Sequence, residues 1–432
     1  MILKKSSAAL LWCLLFAGIF QIGGSSAYAQ NTVSTGVPFL LIGPNSRFTG
    51  MGETGSSLSD DASAMFWNPA GLAYQKAGTE VNFTHSPWLA GLSIGDLFYD
   101  YIASRTYIKD INGTVGASLT YLNIGEVIVT DEFGNPQPDR NYKAYELSFS
   151  TAYATMFGKD WSGGVQGSFI YSRLSPNDLT VGNEQGTGTG ISASFGLSSI
   201  WRPVKTAPSF LKNKFSFGVN LSNMGPAISY VDAAQADPLP TNLRLAFSYD
   251  VVKSEFNTLT LAADFAKLMV NRTSAVVDTA GVVITPGEVD PWYEALFTSW
   301  KGGISGIVKS FQASVGAEYW YGNPKLIALR AGYFYEDPSI GNRKFITPVS
   351  RKGSPLLLNP YMFVPSFAKI SSDPSPLKSN AIACELLAVS ILILLGKPVS
   401  GLSEVEPMLT LAVMRVSITL KFFMYMLLFA SE

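Results

Sequence analysis

Apolar and polar side chains alternate along most of the chain between about residue 97 and residue 348. In LRLAFSYDV, residues 243–251, every second side chain from Leu243 to Val251 is apolar, and Arg244 and Ser248 lie between them. The stretches KFSFGVNLSN, TVGASLTYL, YELSFSTAYA, FQASVGAEYWYG and LIALRAGYFYE repeat the pattern. Strict alternation predicts β-strands with one apolar and one polar face. About twelve such strands are predicted before residue 348.

Two all-β architectures accommodate strands of this kind. A soluble sandwich buries the apolar faces in its core, whereas a transmembrane antiparallel β-barrel turns them outward to lipid. Here the other face is mainly Gly, Ser, Ala and Thr rather than the charged residues of a soluble surface. Several strands also reach the roughly ten residues that a tilted strand needs to cross a bilayer. Aromatic residues lie near the segment ends, as in an interfacial girdle: Tyr121, Tyr153, Trp161, Tyr171, Trp201, Tyr249, Trp320, Tyr321 and Tyr335. The pattern therefore favours the barrel.

The composition agrees with a surface that contacts lipid. Charged residues make up 15% of the chain, against roughly 25% in average soluble proteins. Aromatic residues make up 12%, including 19 Tyr and 8 Trp, and these side chains are enriched at membrane interfaces. Because 31 Lys and Arg residues balance 32 Asp and Glu residues, the chain lacks the basic surface that nucleic-acid binding requires.

The N-terminus predicts export. MILKK is basic, AALLWCLLFAGIF is apolar, and AYA at Ala27–Ala29 is a small-residue cleavage site, so residues 1–29 read as a signal peptide cleaved near Ala29. Cys13 leaves with the signal peptide, and Cys384 is the remaining cysteine. We therefore expect neither a disulfide nor a cysteine metal site in the mature protein. Nothing in the sequence indicates a cofactor.

The connections between predicted strands fall into two classes by length. FGKD, residues 157–160, is short and reads as a periplasmic turn. The longer connections at 131–141, 175–188, 231–240 and 271–290 are rich in turn-forming residues. They read as extracellular loops, where barrels place their specificity. The predicted division is a signal peptide at 1–29, an N-terminal hatch at 30–79, the barrel at 80–348 and an atypical tail at 349–432.

The tail differs in character from the rest of the chain. It contains Pro- and Ser-rich sequence and two continuous apolar runs, AIACELLAVSILILLGK and MLTLAVMRVSITLKFFMYMLLFA, which are helix candidates. A long apolar helix would hold a barrel precursor in the inner membrane. Barrels usually end in an alternating strand with a terminal aromatic, and this chain ends FASE. We interpret residues from about 349 as frameshifted or misassembled sequence; the alternative is a genuine helical extension.

The segment DDASAMFWNPAGLA, residues 60–73, predicts one short helix before the strands begin. Asp60 and Asp61 are placed to cap it, residues 62–67 form about one and a half turns, and Pro69 limits it. A helix this short is not stable alone in water, so we expect the barrel lumen to bury it. Five residues form the predicted hatch site: Phe66, Trp67, Asn68, Pro69 and Gly71. Asn68 is expected to bond to the lumen wall and Pro69 to direct the exit of the chain.

Candidate catalytic chemistry is sparse. His85 is the single histidine, so a histidine-based metal site or triad lacks its usual partners, and we expect a solvated or loop histidine. No G-x-S-x-G motif accompanies it. The acids of SDD, residues 59–61, could suggest a metal, but adjacent acids at a helix start more often cap the helix and interact with its dipole. The sequence does not predict an enzyme.

Several stretches resemble the PorV/PorQ family, outer-membrane barrels of the type IX secretion system within the wider FadL-like superfamily. In order, they are VPFLLIGPNSRFTGMGE, WNPAGLA, SPWLAGL, YLNIGEVIVTDEFGN, SGGVQGSFIYSRL, FGVNLSNMGPAISY, PTNLRLAFSYD and LTLAADFAKLMV, and they span roughly residues 36–345. The resemblance implies about fourteen strands, an N-terminal hatch around the NPAG segment, and the outer membrane of a Gram-negative bacterium. The tail departs from the family's closing strands.

The function that this resemblance implies is protein transport. Members would bind secreted cargo proteins by their C-terminal signal domains, receive them from a large outer-membrane translocon and pass them to a surface attachment complex with a sortase-like protease. Lipid and lipopolysaccharide would surround the barrel. The alternative is a FadL-type channel for long-chain fatty acids or other hydrophobic molecules, which needs an apolar pocket beside the hatch and a lateral opening.

Overall fold

The computed structural model describes residues 35–347, with gaps at 77, 88–96, 132, 176–179, 182–183, 186–187, 205–206, 231–235, 274–275, 278–282, 286–287 and 324. Contacts divide the chain into Met1–Ser371 and Ser372–Glu432, and every described residue belongs to the first unit. The predicted signal peptide and the predicted tail lie outside the described residues.

The described residues form one antiparallel sheet of twelve strands, as many as the alternation predicts. Its strands are β1 Thr79–Pro87, β2 Phe98–Ile108, β3 Gly113–Val127, β4 Tyr142–Phe157, β5 Trp161–Arg173, β8 Thr189–Trp201, β9 Phe215–Met224, β10 Asn242–Lys253, β11 Asn257–Leu268, β16 Gln312–Tyr321, β17 Ile327–Tyr335 and β18 Lys344–Thr347. Three small ribbons lie in the connections: β6 Thr180–Val181 with β7 Glu184–Gln185, β12 Arg272–Thr273 with β15 Glu288–Val289, and β13 Val276–Val277 with β14 Val283–Thr285. Each strand of the large sheet pairs with the next one along the chain, which is the meander of an up-and-down barrel wall.

The two faces of this wall are opposite in kind to those of a soluble protein. In β4, Glu146, Ser148 and Ser150 are buried, and the alternating positions carry apolar side chains that remain accessible. In β5 the outward Val165 and Phe169 are exposed. Large apolar side chains therefore face outward, and small or polar side chains face the interior. This confirms the barrel rather than the sandwich, because a sandwich would bury the apolar face.

Aromatic side chains mark two levels on the outward face. Trp161 stacks on Trp201 with 6.0 Å between ring centroids. Nearer the other end of the wall, Tyr121 of β3, Tyr145 of β4 and Tyr171 of β5 form a row with centroid distances of 5.9 and 5.7 Å. Trp161 and Tyr171 lie ten residues apart in β5, which is about 25 Å along the membrane normal at roughly 3.3 Å per residue and about 40° of tilt. The spacing matches the apolar band of an outer-membrane barrel.

An N-terminal segment, residues 35–75, lies on the interior face of the sheet; we call it the hatch. It comprises a 3₁₀ helix at Pro38–Leu41, α1 Ser46–Thr49, α2 Ala64–Trp67 and a second 3₁₀ helix at Pro69–Tyr74. The helix α2 is shorter than predicted because its N-cap is Ser63, not an aspartate. Asp61 instead accepts a hydrogen bond from the Ser63 N–H at 2.8 Å, just before the helix begins.

The connections at one end of the strands are short, apart from 202–214, and most of those at the other end are long. The turn at 158–160 joins β4 to β5, as predicted, and the connections at 109–112, 254–256 and 322–326 lie at the same end. The long connections at 128–141, 174–188, 225–241 and 269–311 lie at the other end. The last of these contains α3 Trp292–Thr298 and α4 Gly303–Lys309. Among the described residues, no helix is long and apolar enough to cross a membrane.

Candidate functional site

The five predicted hatch residues lie together at the contact between the hatch and the wall. Phe66 and Trp67 belong to α2, Asn68 ends that helix, and Pro69 and Gly71 begin the following 3₁₀ helix. All are buried except Phe66, which is half-buried. Pro69 approaches β5, Asn68 bonds to β8 and β9, and Trp67 contacts β10.

Asn68 joins the hatch to two adjacent strands. Its amide nitrogen donates to the main-chain oxygen of Ser199 in β8 at 3.4 Å and to that of Val219 in β9 at 3.2 Å. Its side-chain oxygen accepts from the N–H of Ala70 at 3.1 Å, which caps the 3₁₀ helix. One buried side chain thus satisfies a helix start and fixes its position on the wall. Because the partners are main-chain groups, the contact needs an amide at position 68 and no particular wall side chain.

Glycine residues allow the main chain of the hatch to approach the wall closely. A Cβ atom on Gly164 of β5 would lie 2.7 Å from the Ala70 nitrogen and 2.9 Å from the Pro69 carbonyl carbon. Within the hatch, a Cβ atom on Gly71 would lie 2.1 Å from the Ser59 oxygen. Distances below 3.0 Å exclude any side chain unless the backbone moves. Similar close approaches to hatch main chain occur at Gly218, Gly316 and Gly332, whereas a Cβ atom on Gly116 would lie 2.4 Å from the Met65 sulfur.

Trp67, the last residue of α2, contacts both other hatch residues and the wall. Its indole N–H donates to the Asn45 side-chain oxygen at 3.1 Å, and its ring packs edge-on against Phe48 and Phe66. The main-chain oxygen of Trp67 accepts from Asn220 of β9 at 3.1 Å. The Arg244 guanidinium of β10 lies 4.9 Å from the indole centroid, within cation–π range. The ring therefore organises the interior of the hatch, and Trp67 is joined to the wall by its main-chain oxygen and by the cation–π contact with Arg244.

A cluster of charges fixes the first half of the hatch. Arg47 of α1 makes a bidentate ion pair with Glu318 of β16, at 2.9 and 2.8 Å, and also pairs with Asp60 and Asp61. Arg330 of β17 binds the same Glu318 at 2.8 Å. Burial alone lowers the pKa of Arg47, but Asp60, Glu318 and Asp61 outweigh it and raise that pKa well above the ordinary value. The guanidinium therefore stays charged.

A second carboxylate of the wall binds hatch main chain. Asp264 of β11 accepts from the N–H groups of Gly55 and Ser56 at 3.1 and 3.0 Å, and Arg244 lies 3.7 Å from the same oxygen. Such charge-assisted bonds are stronger than neutral ones. Nearby, burial raises the pKa of Glu53 in the hatch, against the lowering effect of Arg244.

A small cavity of about 50 Å³ lies between the hatch and the wall. Phe39, Met65 and Phe66 border it on the hatch side; the wall side is mostly Ser, Thr and Asn. Tyr101 and Asn220 each present a buried side-chain oxygen without a hydrogen-bond partner to this region. The volume suits a few water molecules, which polar groups of this kind bind. Pockets for small molecules usually measure about 300–1,000 Å³.

The expectation for His85 is wrong in part. It lies in β1, not in a loop, and its Nδ1 is 2.6 Å from the Asp100 carboxylate of β2. Asp100 alternates with the inward Tyr99 and Tyr101, so the pair faces outward, and the His85 ring continues the row of aromatic side chains through Phe98 to Tyr121. Within the described ranges, no three His, Cys, Asp or Glu side chains could hold a metal ion.

Sequence reasoning missed the charged residues of the site. Arg47, Asp264 and Glu318 each hold the hatch, yet none lies in the predicted helix segment. A signal for the two wall acids was present: Asp264 and Glu318 occupy inward positions in strands whose other inward residues are mostly small. A charged side chain at an inward position of a strand indicates a partner of opposite charge or a hydrogen-bond donor in the interior, because a buried charge is costly without such a partner.

Comparisons with solved structures return transporters of small apolar molecules and a FadL homologue. They include the toluene transporter TodX of Pseudomonas putida, with 13% identity, 70% of this chain and 87% of that chain covered, and a TM-score of 0.40. The toluene transporter TbuX of Ralstonia pickettii has 14% identity, coverages of 68% and 86%, and a TM-score of 0.37. A FadL homologue of Pseudomonas aeruginosa has 10% identity, coverages of 70% and 83%, and a TM-score of 0.34. At this level of similarity, the substrates of these proteins cannot be assigned to this chain.

The comparison with protein families shows the family of this chain. No curated protein matches the chain. The family described as "Type IX secretion system protein PorV" matches residues 25–275, more than half of the chain. The match includes the hatch and the wall from β1 to β11. The chain thus belongs to the PorV family, outer-membrane proteins of the type IX secretion system.

Proposed function

We propose that this barrel binds secreted proteins by their C-terminal signal domains and carries them from the translocon to the surface attachment complex. Membership of the PorV family supports a role in type IX secretion. The proposal adds the shuttle step, the hand-over between two assemblies, and the assignment of Phe66, Trp67, Asn68, Pro69 and Gly71 to a lumen seal.

The packing of the hatch carries this proposal. Asn68 binds β8 and β9, the Gly55–Ser56 main chain binds β11, and Arg47 binds β16. The cavity left beside them, about 50 Å³, is far smaller than a folded domain or a fatty acid requires. A barrel filled in this way suits cargo binding at its surface better than passage of cargo through its lumen.

The loop end of the barrel offers a suitable surface. The connection at 128–141 is ordered by Asp131, which accepts from the N–H groups of Phe133 and Asn135 at 2.9 and 2.8 Å. This turn holds the Phe133 side chain out at the tip, 81% exposed. Rigidly presented aromatic side chains are frequent anchors of protein interfaces. We assign cargo and partner binding to this end.

A pull-down from gently solubilised outer membranes tests the proposal. An affinity tag is placed in the loop 271–290, and a matched tag in the short turn 158–160 at the opposite end serves as control. Recovery of the translocon or of secreted proteins through their C-terminal domains is the expected result. A Phe133→Ser variant should reduce cargo recovery if the tip takes part.

Recovery of the barrel alone, with fatty acid or another apolar molecule bound, would contradict the shuttle and support the FadL-type channel. That channel needs an apolar pocket beside the hatch, whereas the wall side of the cavity is polar. Growth of a deletion strain on long-chain fatty acids separates the two functions: the shuttle predicts normal growth together with a secretion defect.

A further inference from the structure

The helix α3 lies on the outer face of the barrel wall. Trp292, its first residue, packs edge-on against Phe195 of β8 with 5.2 Å between ring centroids. Phe195 is an outward residue of the alternation in β8. Just after the helix, the Trp300 ring lies 5.4 Å from the Lys267 ammonium of β11. Lys267 pairs in register with the outward Leu243, so both ends of the helix contact the outside of the wall.

Between these two contacts the strands β9 and β10 are shorter than β8 at the loop end of the wall. β9 ends at Met224, opposite Phe195, and β10 begins at Asn242, while β8 continues to Thr189. From β8 to β11 there are three strand spacings, about 14 Å. From Trp292 to Trp300 the chain rises about 12 Å at the helical rise. The helix therefore has the length needed to bridge the ends of β9 and β10.

Large apolar side chains lie on two sides of α3. Trp292, Ala295 and Leu296 face the wall, and Ala295 is buried. On the opposite side Phe297 is 80% exposed and Tyr293 is also exposed. In the next helix, α4, Ile304 is 85% exposed and Val308 is exposed as well. The exposed Glu294 and Thr298 complete the outward side of α3, so Tyr293 and Phe297 form the apolar part of that side.

The level of α3 on the wall identifies the surroundings of this apolar part. Ile191 of β8 pairs with Tyr171 of the upper aromatic row, and Trp201 of β8 belongs to the lower row. Phe195 lies between them, so the start of α3 sits against the apolar band itself. The exposed Lys301 and Lys309 flank α4, and lysines beside apolar helices bind the anionic groups of a membrane interface.

We propose that α3 and α4 form a lipid-embedded cover, whose exposed apolar face contacts the acyl chains of the outer leaflet above β9 and β10. This continues the lipid-facing surface of Phe195 and Leu197, both exposed on β8. The helical main chain bonds to itself, with the N–H of Ser299 donating to the Ala295 oxygen at 3.1 Å, as a segment in hydrocarbon requires. The inference does not depend on cargo binding.

Site-specific fluorescence tests this inference on the full chain. In a Cys384→Ser background, Phe297→Cys is labelled with an environment-sensitive fluorophore and the barrel is reconstituted in phosphatidylcholine vesicles. Some vesicles carry nitroxides on the acyl chains, and iodide serves as the quencher in water. Phe169→Cys on the outward face of β5 is the lipid control, and Phe133→Cys at the loop tip is the water control.

The expected result is that the label at 297 behaves like the label at 169: acyl nitroxides reduce its emission several-fold more than iodide does. Behaviour like that of position 133, with strong iodide quenching and little effect of the nitroxides, would overturn the proposal. The apolar face would then be open to water and free for a protein partner. Ile304→Cys provides an independent second reading on α4.

Discussion

Two parts of the hatch are attached to the wall by different physical means. Residues 68–74 contact β5 and β8 through neutral hydrogen bonds, to the Ser199 main chain and the Ser198 hydroxyl, and through close approach at Gly164. Residues 47–61 contact β11 and β16 through buried charges, chiefly Arg47 with Glu318. The first attachment depends on shape and on hydrogen bonds in which no carboxylate takes part. The second depends on ionised carboxylates, so we expect acid to weaken only this second part.

The largest effect is expected at the steric attachment. Replacing Gly164 with Leu places a side chain where the Ala70 nitrogen and Pro69 now lie, so the hatch cannot seat. We expect a loss of more than about 3 kcal/mol and a large rise in ion conductance in planar bilayers. Gly167→Leu on the same strand is the control, because nothing lies within 4 Å of its Cβ position. Equal conductance of the two variants would refute the close packing.

At the charged attachment, Arg47→Ala leaves Glu318, Asp60 and Asp61 without their common partner. Breaking a buried pair costs about 3 kcal/mol, and Arg330 remains on Glu318 to limit the loss. Urea denaturation followed by gel mobility measures it. The control is Arg272→Ala, since the Arg272–Asp237 pair is exposed and should contribute under about 1 kcal/mol. Similar losses in both variants would mean that the Arg47 cluster has no special role.

Acid should weaken the charged attachment alone. Burial raises the pKa of Asp60, but Arg47 outweighs it and holds that pKa below its ordinary value. The stabilisation is therefore fully present above about pH 4, the ordinary aspartate pKa, and is lost as the pH falls further. We expect Asp60→Asn to be less stable than the parent at pH 7 and the difference to vanish at strongly acid pH. A difference independent of pH would exclude this ionisation as its source.

The smallest effect is expected outside both attachments. His85 and Asp100 face outward and are partly exposed, so their pair contributes under about 1 kcal/mol. His85→Ala should leave both hatch retention and secretion unchanged, measured by antibiotic permeability and by the amount of surface cargo. A variant that assembles normally but fails in secretion would assign a chemical role to this pair.

The wall could be predicted from sequence because each strand carries its own signal. Alternation at residues 243–251 and the strand-end Trp161 and Tyr171 reveal strands, faces and girdles from neighbouring residues alone. The short turn at 157–160 likewise fixes one end of the barrel. These features are local, and the membrane imposes a simple rule on which face is apolar.

The attachments of the hatch could not be predicted in the same way. Arg47 and Glu318 are 271 positions apart, and no local pattern relates them. The helix start was misplaced for a related reason: Asp60 resembles a cap in sequence, but its carboxylate binds Arg47 in the folded chain. A side chain that could cap a nearby helix can instead bind a partner from elsewhere in the fold, and only the tertiary structure shows which contact forms.

The contact between Thr347 and Gly50 has a consequence for biogenesis. The Thr347 hydroxyl donates to the Gly50 oxygen at 2.8 Å, across 297 positions of the chain. The hatch is synthesised first, yet it binds the last strand that the structure describes, so its final contacts must wait for nearly the whole wall. Non-local contacts of this kind slow folding. The hatch and the wall therefore complete their folding together. A folding intermediate in which β18 has not yet paired would lack the Thr347–Gly50 contact of the hatch.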